Sequence, residues 1–256
     1  MTLIRVAHSP DSDDAFMFYA LARGLIDTGE LRFEHVLSDI ETLNREAFDG
    51  TYEVTAISIH AYPHLADRYA LLDSGASMGD GYGPVLVGRE PLAADRLSEI
   101  TVAIPGTLTS AALALKMWNP ALDTTVLPFD AIMPAVEAGE VDAGVVIHEG
   151  QLTWEEEGFY KIVDLGEWWA EETGGLPLPL GGNVIRRDLG PETMARVARL
   201  LRESIEYSLS HRQEALDYAM EYGRGLDRAK ADRFVGMYVN DLTVSYGERG
   251  RRAVEL

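Results

Sequence analysis

Of the 256 residues, 42 are Asp or Glu and 22 are Lys or Arg, giving a formal charge of −20, and none is Cys. So acidic a chain repels nucleic-acid phosphates and anionic membrane surfaces, and without thiols it has no disulfides, zinc–thiolate sites, iron–sulfur clusters or thiol catalysis. No apolar run approaches the roughly 18 residues that span a bilayer, and the start MTLIRVAHSPDSDD lacks the apolar core of a signal peptide. A cytoplasmic protein with no membrane insertion and no nucleic-acid partner is expected.

Strand-like and helix-like segments alternate over the first 150 residues or so, the pattern of βα units on mostly parallel sheets. Residues 3–7 form a short apolar run suited to a buried strand. Residues 12–25 read as a helix capped by Asp11 or Ser12 and stopped near Gly29. Residues 31–37 alternate apolar and polar, as in a half-buried strand. A short helix over 40–48 ends at Gly50, and 54–57 is the next strand. Further strands are expected at 85–87, 101–104, 124–127 and 144–147.

Beyond Arg187 the pattern turns helical. Gly190-Pro191 opens a helix carrying Met194, Val197, Leu201, Ile205 and Leu209 on one face. Ser210-His211-Arg212-Gln213 reads as a capping box, and a third helix would carry Phe234, Tyr238 and Leu242.

Two stretches echo each other: AFDGTYEVTAISIH around Gly50 and VEAGEVDAGVVIHEG around Gly139. Each has a helix, a glycine stop, an acidic residue and a β-branched strand, and aligning the glycines pairs Ile59 with His148. Two similar α/β lobes follow, each ending a strand at a common cleft. The chain would cross between them at residues 83–89 and 180–187, with residues 1–88 plus 186–256 in one lobe and 89–185 in the other. Two crossings and a helical return describe a two-lobed, periplasmic-binding-protein-like (type II) α/β fold with a hinged central cleft.

Chemistry concentrates at strand ends. Ser9 opens the turn after the first strand and is a candidate ligand contact, while Asp13 and Asp14 read as helix-start residues favoured by the dipole. The corresponding turn, Pro105-Gly106-Thr107-Leu108-Thr109-Ser110, has no aspartate. Its hydroxyls and amides can hold a carboxylate, with Thr109 or Thr107 also capping the helix. His148 follows four apolar residues at the end of a buried strand, where an imidazole poised near neutrality can transfer protons. His35, His60, His64 and His211 have structural readings. Neither HExxH nor GxGxxG or GxxxxGK[ST] occurs, so no metal centre or nucleotide cofactor is expected, and a serine triad is not expected either.

Ser9-Pro10, Asp14, Phe16, Phe18-Tyr19-Ala20-Leu21, Glu41-Thr42-Leu43-Asn44, Asp67-Arg68-Tyr69 and Ile147-His148-Glu149 together resemble the 1,4-dihydroxy-6-naphthoate synthases of the futalosine route to menaquinone. Trp168-Trp169, Gly175-Leu176-Pro177-Leu178-Pro179-Leu180-Gly181 and Tyr238-Val239-Asn240 extend the likeness over nearly the whole chain. The resemblance implies a cofactor-free lyase that opens cyclic dehypoxanthine futalosine, releasing a three-carbon sugar fragment. The substrate would be a small cyclic aromatic carboxylate. The family's proton-accepting histidine falls on His148, and its substrate-contacting segments fall on Ala56, Ile57 and Ser58 and on Thr109 and Ser110. Ser9, Asn44 and Ile147, within the matching motifs, complete the candidate set. Ala56 stands where members often carry lysine, leaving a carboxylate to be anchored by hydroxyls and amides. A solute-binding protein of the same fold and a chorismate-dehydratase-like sister enzyme are the alternatives, separated by turnover of the two candidate substrates.

Overall fold

The computed structural model describes residues 2–92, 97, 99–222 and 226–256. The chain divides into two compact units, Met1–Met78 with Pro179–Leu256, and Gly79–Leu178.

The first unit begins with β1 (Thr2–His8), α1 (Ser12–Ala22), β2 (Leu31–Leu37), α2 (Ile40–Asp49) and β3 (Val54–Ser58). A 3₁₀ turn over Ile59–His64 leads to β4 (Tyr69–Leu71) and β5 (Ser77–Gly79). The second unit holds β6 (Val85–Gly88), β7 (Thr101–Ile104), α3 (Ser110–Trp118), β8 (Asp123–Val126), α4 (Ile132–Ala138), β9 (Ala143–Val146), α5 (Gly150–Thr153), β10 (Tyr160–Asp164) and α6 (Leu165–Thr173). The chain returns through β11 (Leu178–Arg186), followed by α7 (Gly190–Ser210), α8 (Arg212–Ala219), α9 (Arg228–Tyr238), α10 (Asp241–Val244) and α11 (Gly247–Glu255).

Both sheets are mixed rather than mostly parallel. The first runs β2-β1-β3-β11-β4, with β5 also on β11, and the second runs β10-β6-β9-β7-β8. In each, a parallel three-strand core (β2, β1, β3 or β8, β7, β9) meets an antiparallel strand, β11 or β6. The two units therefore repeat one β–α–β–α–β topology. Gly50 and Gly139 end α2 and α4 in the same left-handed conformation, φ 70° and 73°, so the sequence echo marks equivalent places.

Helix α1 is buried on nearly every side. Phe16, Met17, Phe18 and Leu21 share a core with Val197, Leu201, Ile205, Leu216 and Val235, and Met194 and Leu209 pack against its margin. The helix stops earlier than expected. Gly24 takes φ +64°, with bonds from Leu25 N to Ala20 O and from Gly24 N to Leu21 O, a closure that only a left-handed residue permits cheaply.

Two C-terminal expectations also fail. Ser210 donates to Tyr207 O rather than capping α8, and the His211 ring stacks on Tyr207 at 3.9 Å. Leu242 belongs to α10, not α9, because the backbone turns extended at Val239 and Asn240. Asn240 there forms the capping box with Thr243. No helix among the described residues is long and apolar enough to cross a membrane.

Candidate active site

In each unit the candidate residues sit at the C-terminal ends of parallel strands, where helix-start amides also gather. In the first unit, β1 delivers Ser9, which is buried. Asp11 occupies the N-cap of α1 in an extended conformation but makes no side-chain cap bond. Asp14, in the first turn, instead reaches back to accept the Ser9 N–H at 2.8 Å. The helix start is thus faced by the chain's own carboxylates, the dipole-favoured arrangement.

Just upstream, His8 stacks on Phe18 with ring centroids 4.6 Å apart. Its Nδ1–H donates to Ser9 O at 2.9 Å, which leaves Nε2 as the acceptor for His35 Nδ1–H at 3.1 Å. His35 Nε2 is buried without a partner. Burial above all, with the neighbouring His35, pushes His8 down to about 3, and burial pushes His35 down to about 4. Both rings are neutral at pH 7.

Strand β3 ends at Ser58, which α2 addresses through Asn44. The Asn44 carbonyl accepts the Ser58 N–H at 2.8 Å, and its amide donates to Ser58 Oγ at 3.0 Å. Both residues are buried. Because Oγ is occupied as an acceptor by Asn44, its own hydrogen turns elsewhere and Ser58 is set as a donor. Two candidates 14 residues apart are brought together, Asn44 acting on Ser58. Ala56 packs its methyl with Ala7 and Leu43 under α2, while its carbonyl accepts the Thr55 hydroxyl at 3.0 Å and its backbone pairs with Asn183 of β11. Ile57 is fully buried opposite Gly182.

In the second unit, Thr109 is the N-cap of α3. Its Oγ accepts Ala112 N–H at 3.2 Å and donates to Gly106 O at 2.9 Å. With its hydrogen committed to Gly106, Thr109 frames the helix start, and Ser110 beside it is buried. No acid occupies the first turn of α3, in contrast to α1.

Strand β9 ends in Val146, and after Ile147 the backbone turns sharply. His148 has φ +54° and, among the described residues, is the one non-glycine with positive φ. Such a conformation costs an L-residue about 1–2 kcal/mol and persists where surrounding structure enforces it. The turn is closed by bonds from Gln151 N to His148 O and Leu152 N to Glu149 O. Gly150 is required, since a Cβ there would lie 2.5 Å from Val146 Cγ1. Glu149 is buried and His148 half-buried. Phe129, which the sequence reading passed over, meets His148 edge to face at 5.0 Å. Its only sequence signal was its place after Pro128 in a strand-to-helix turn.

Over residues 4–256 the chain matches the family described as "Menaquinone biosynthesis". The chain belongs to this menaquinone-biosynthesis family. A 1,4-dihydroxy-6-naphthoate synthase of Thermus thermophilus is 41% identical over 254 residues, 99% of this chain and 92% of the relative. A crystal structure of an Archaeoglobus fulgidus protein superposes with TM-score 0.94 at 50% identity, covering 99% of this chain and 94% of the other. More distantly, a Candida albicans gene product with the generic periplasmic binding protein fold gives TM-score 0.69 at 13% identity, over 100% and 90% of the two chains. That last likeness establishes the fold alone, as the sequence reading expected. The expected enzyme class, a lyase of the 1,4-dihydroxy-6-naphthoate synthase type, rests on the family kinship.

Proposed function

We propose that this enzyme opens cyclic dehypoxanthine futalosine to 1,4-dihydroxy-6-naphthoate, with His148 as the general base. The observation that carries the assignment of the base is the left-handed backbone at His148, at the end of a buried strand in a chain of this family. Strain of that kind concentrates at functional positions, because folding alone would favour glycine there. An imidazole so placed removes the proton that starts ring opening and carbon–carbon cleavage, and no cofactor enters the step. The start of α3, with the Ser110 hydroxyl and first-turn amides, holds the substrate carboxylate; Ser58, fixed as a donor by Asn44, holds a second oxygen. Ser9, Ala56, Ile57 and Ile147 complete the set proposed to contact the substrate.

His148→Asn tests the assignment, since Asn tolerates left-handed backbone but cannot accept the proton at neutral pH. Turnover should fall by about 10²-fold or more, with substrate dissociation constant and melting temperature little changed. Near-wild-type turnover in the folded variant would remove His148 from the chemistry.

A further inference from the structure

We propose that Phe129 is a positioning residue for His148, fixing the direction in which the imidazole presents its proton-accepting nitrogen; this rests on the general-base reading above. A left-handed backbone determines where the His148 Cβ points, and the two side-chain torsions are then settled by what the ring touches. Phe129 meets it at an interplanar angle of 76° with centroids 5.0 Å apart. In that arrangement the partly positive edge of one ring faces the negative π-cloud of the other, a contact with a preferred geometry that greasy packing lacks.

Phe129 is itself held in place. Leu127 N donates to Ile104 O at 3.1 Å, carrying the β8–β7 pairing one residue past the strand. Pro128 sets φ at −52°, and Ala131 N closes the turn onto Pro128 O at 2.9 Å. Ile132 follows, fully buried against β9 at Gly144, where a Cβ would come within 2.3 Å of Ile132 Cγ2. Gly144 lies four residues before His148 on the same stretch of chain. The Ile132 side chain seated on the bare backbone of Gly144 therefore sets the segment carrying Phe129 in register with the segment carrying His148.

The ordinary alternative is that Phe129 fills the core. It stands outside the apolar cluster of Val85, Val87, Ala103, Ile132 and Val146, and is only half-buried. A core role would not need an aromatic ring, nor contact with the histidine.

The test uses the full-length enzyme and four variants: Phe129→Leu, Phe129→Tyr, His148→Asn and the double variant F129L/H148N. Misplacing a base by a fraction of an ångström should cost F129L about tenfold in kcat, with KM within about twofold. F129Y, which keeps the ring, should recover most of the loss. In the H148N background F129L should cost nothing further, because a residue acting through His148 has nothing left to orient. Unchanged kcat in F129L, or the same fractional loss in the H148N background, overturns the positioning role while leaving His148 as base. Near-wild-type turnover of H148N overturns the base reading instead. Phe129→Met, which keeps apolar bulk without a ring, replaces F129L if the latter melts early and is read by the same outcomes.

Discussion

The left-handed backbone at His148 makes a claim about stability that is independent of chemistry, and comparing Ala with Gly at this position isolates it. Both substitutions delete the imidazole and its contact with Phe129, a loss of about 0.5–1.5 kcal/mol common to the two. They differ only in what the backbone tolerates. At an ordinary φ, Gly is less stable than Ala by about 0.5–1 kcal/mol, because it has more freedom to lose on folding. At φ +54° the Cβ of Ala costs about 1–2 kcal/mol that Gly avoids, so the order inverts and His148→Gly should exceed His148→Ala by about 1 kcal/mol. For a chain of this size that is a difference of about 2–4 °C in melting temperature. Urea midpoints at constant m-value and calorimetric melting of both variants would measure it. His148→Gly should lie near wild type in stability, since relief of strain offsets the lost ring contact, yet both variants should lose turnover by about 10²-fold or more. A glycine variant melting at or below the alanine variant would refute the conformation, and with it the reading of strain kept for function.

Two further outcomes follow from bonds already described. Thr109→Ala should lower stability by about 1 kcal/mol through loss of the α3 cap, whereas Ser110→Ala should weaken substrate binding at least tenfold, matching the ~1.5–3 kcal/mol of a hydrogen bond to a charged group. The buried His8–His35 pair should make the fold acid-sensitive before its carboxylates titrate. Both folded pKa values lie below the unfolded ~6.5, so the unfolded chain binds more protons and stability falls as pH drops from about 6.5 toward about 4 for His35 and about 3 for His8. Urea midpoints between pH 7 and 4.5 should show this slope, and His35→Asn should flatten it; an equal slope in that variant would count against the pair.

The strands were legible because short apolar runs bounded by turns describe buried strands, and β1, β2, β3, β7 and β9 fall within a residue or so of expectation. Strand β11 was legible only as a crossing over residues 180–187, not as the nine-residue partner of β3, since Gly181 and Gly182 dilute its β character and β3 lies far away in sequence. The capping pattern at Ser210 misled because its hydroxyl bonds back into the last turn of α7. The four-residue spacing of Phe234, Tyr238 and Leu242 ran on by coincidence across a break made by Asn240. His148 could be found at a strand end. Phe129 could not, because its partner lies 19 residues on and nothing local marks the pair.

Repeated topology explains where chemistry could arise, and local sequence explains how the two copies diverged. After β1, Asp14 takes the Ser9 amide and Asp13 joins it in the first turn of α1, so the helix dipole is already met from within. After β7 the same topological position carries Thr109 and Ser110 with no acid in the first turn of α3, so the positive end of that helix dipole is not met by a carboxylate of its own turn. After β3 the chain passes through Ser58 into a 3₁₀ turn, with Asn44 fixing the hydroxyl. After β9 the equivalent exit bends into the left-handed region and presents an imidazole. In a chain with a formal charge of −20, local amides and hydroxyls must outweigh the surrounding field wherever an anion is to be held. Of the two equivalent helix starts, only that of α3 leaves its first turn without an acid of its own.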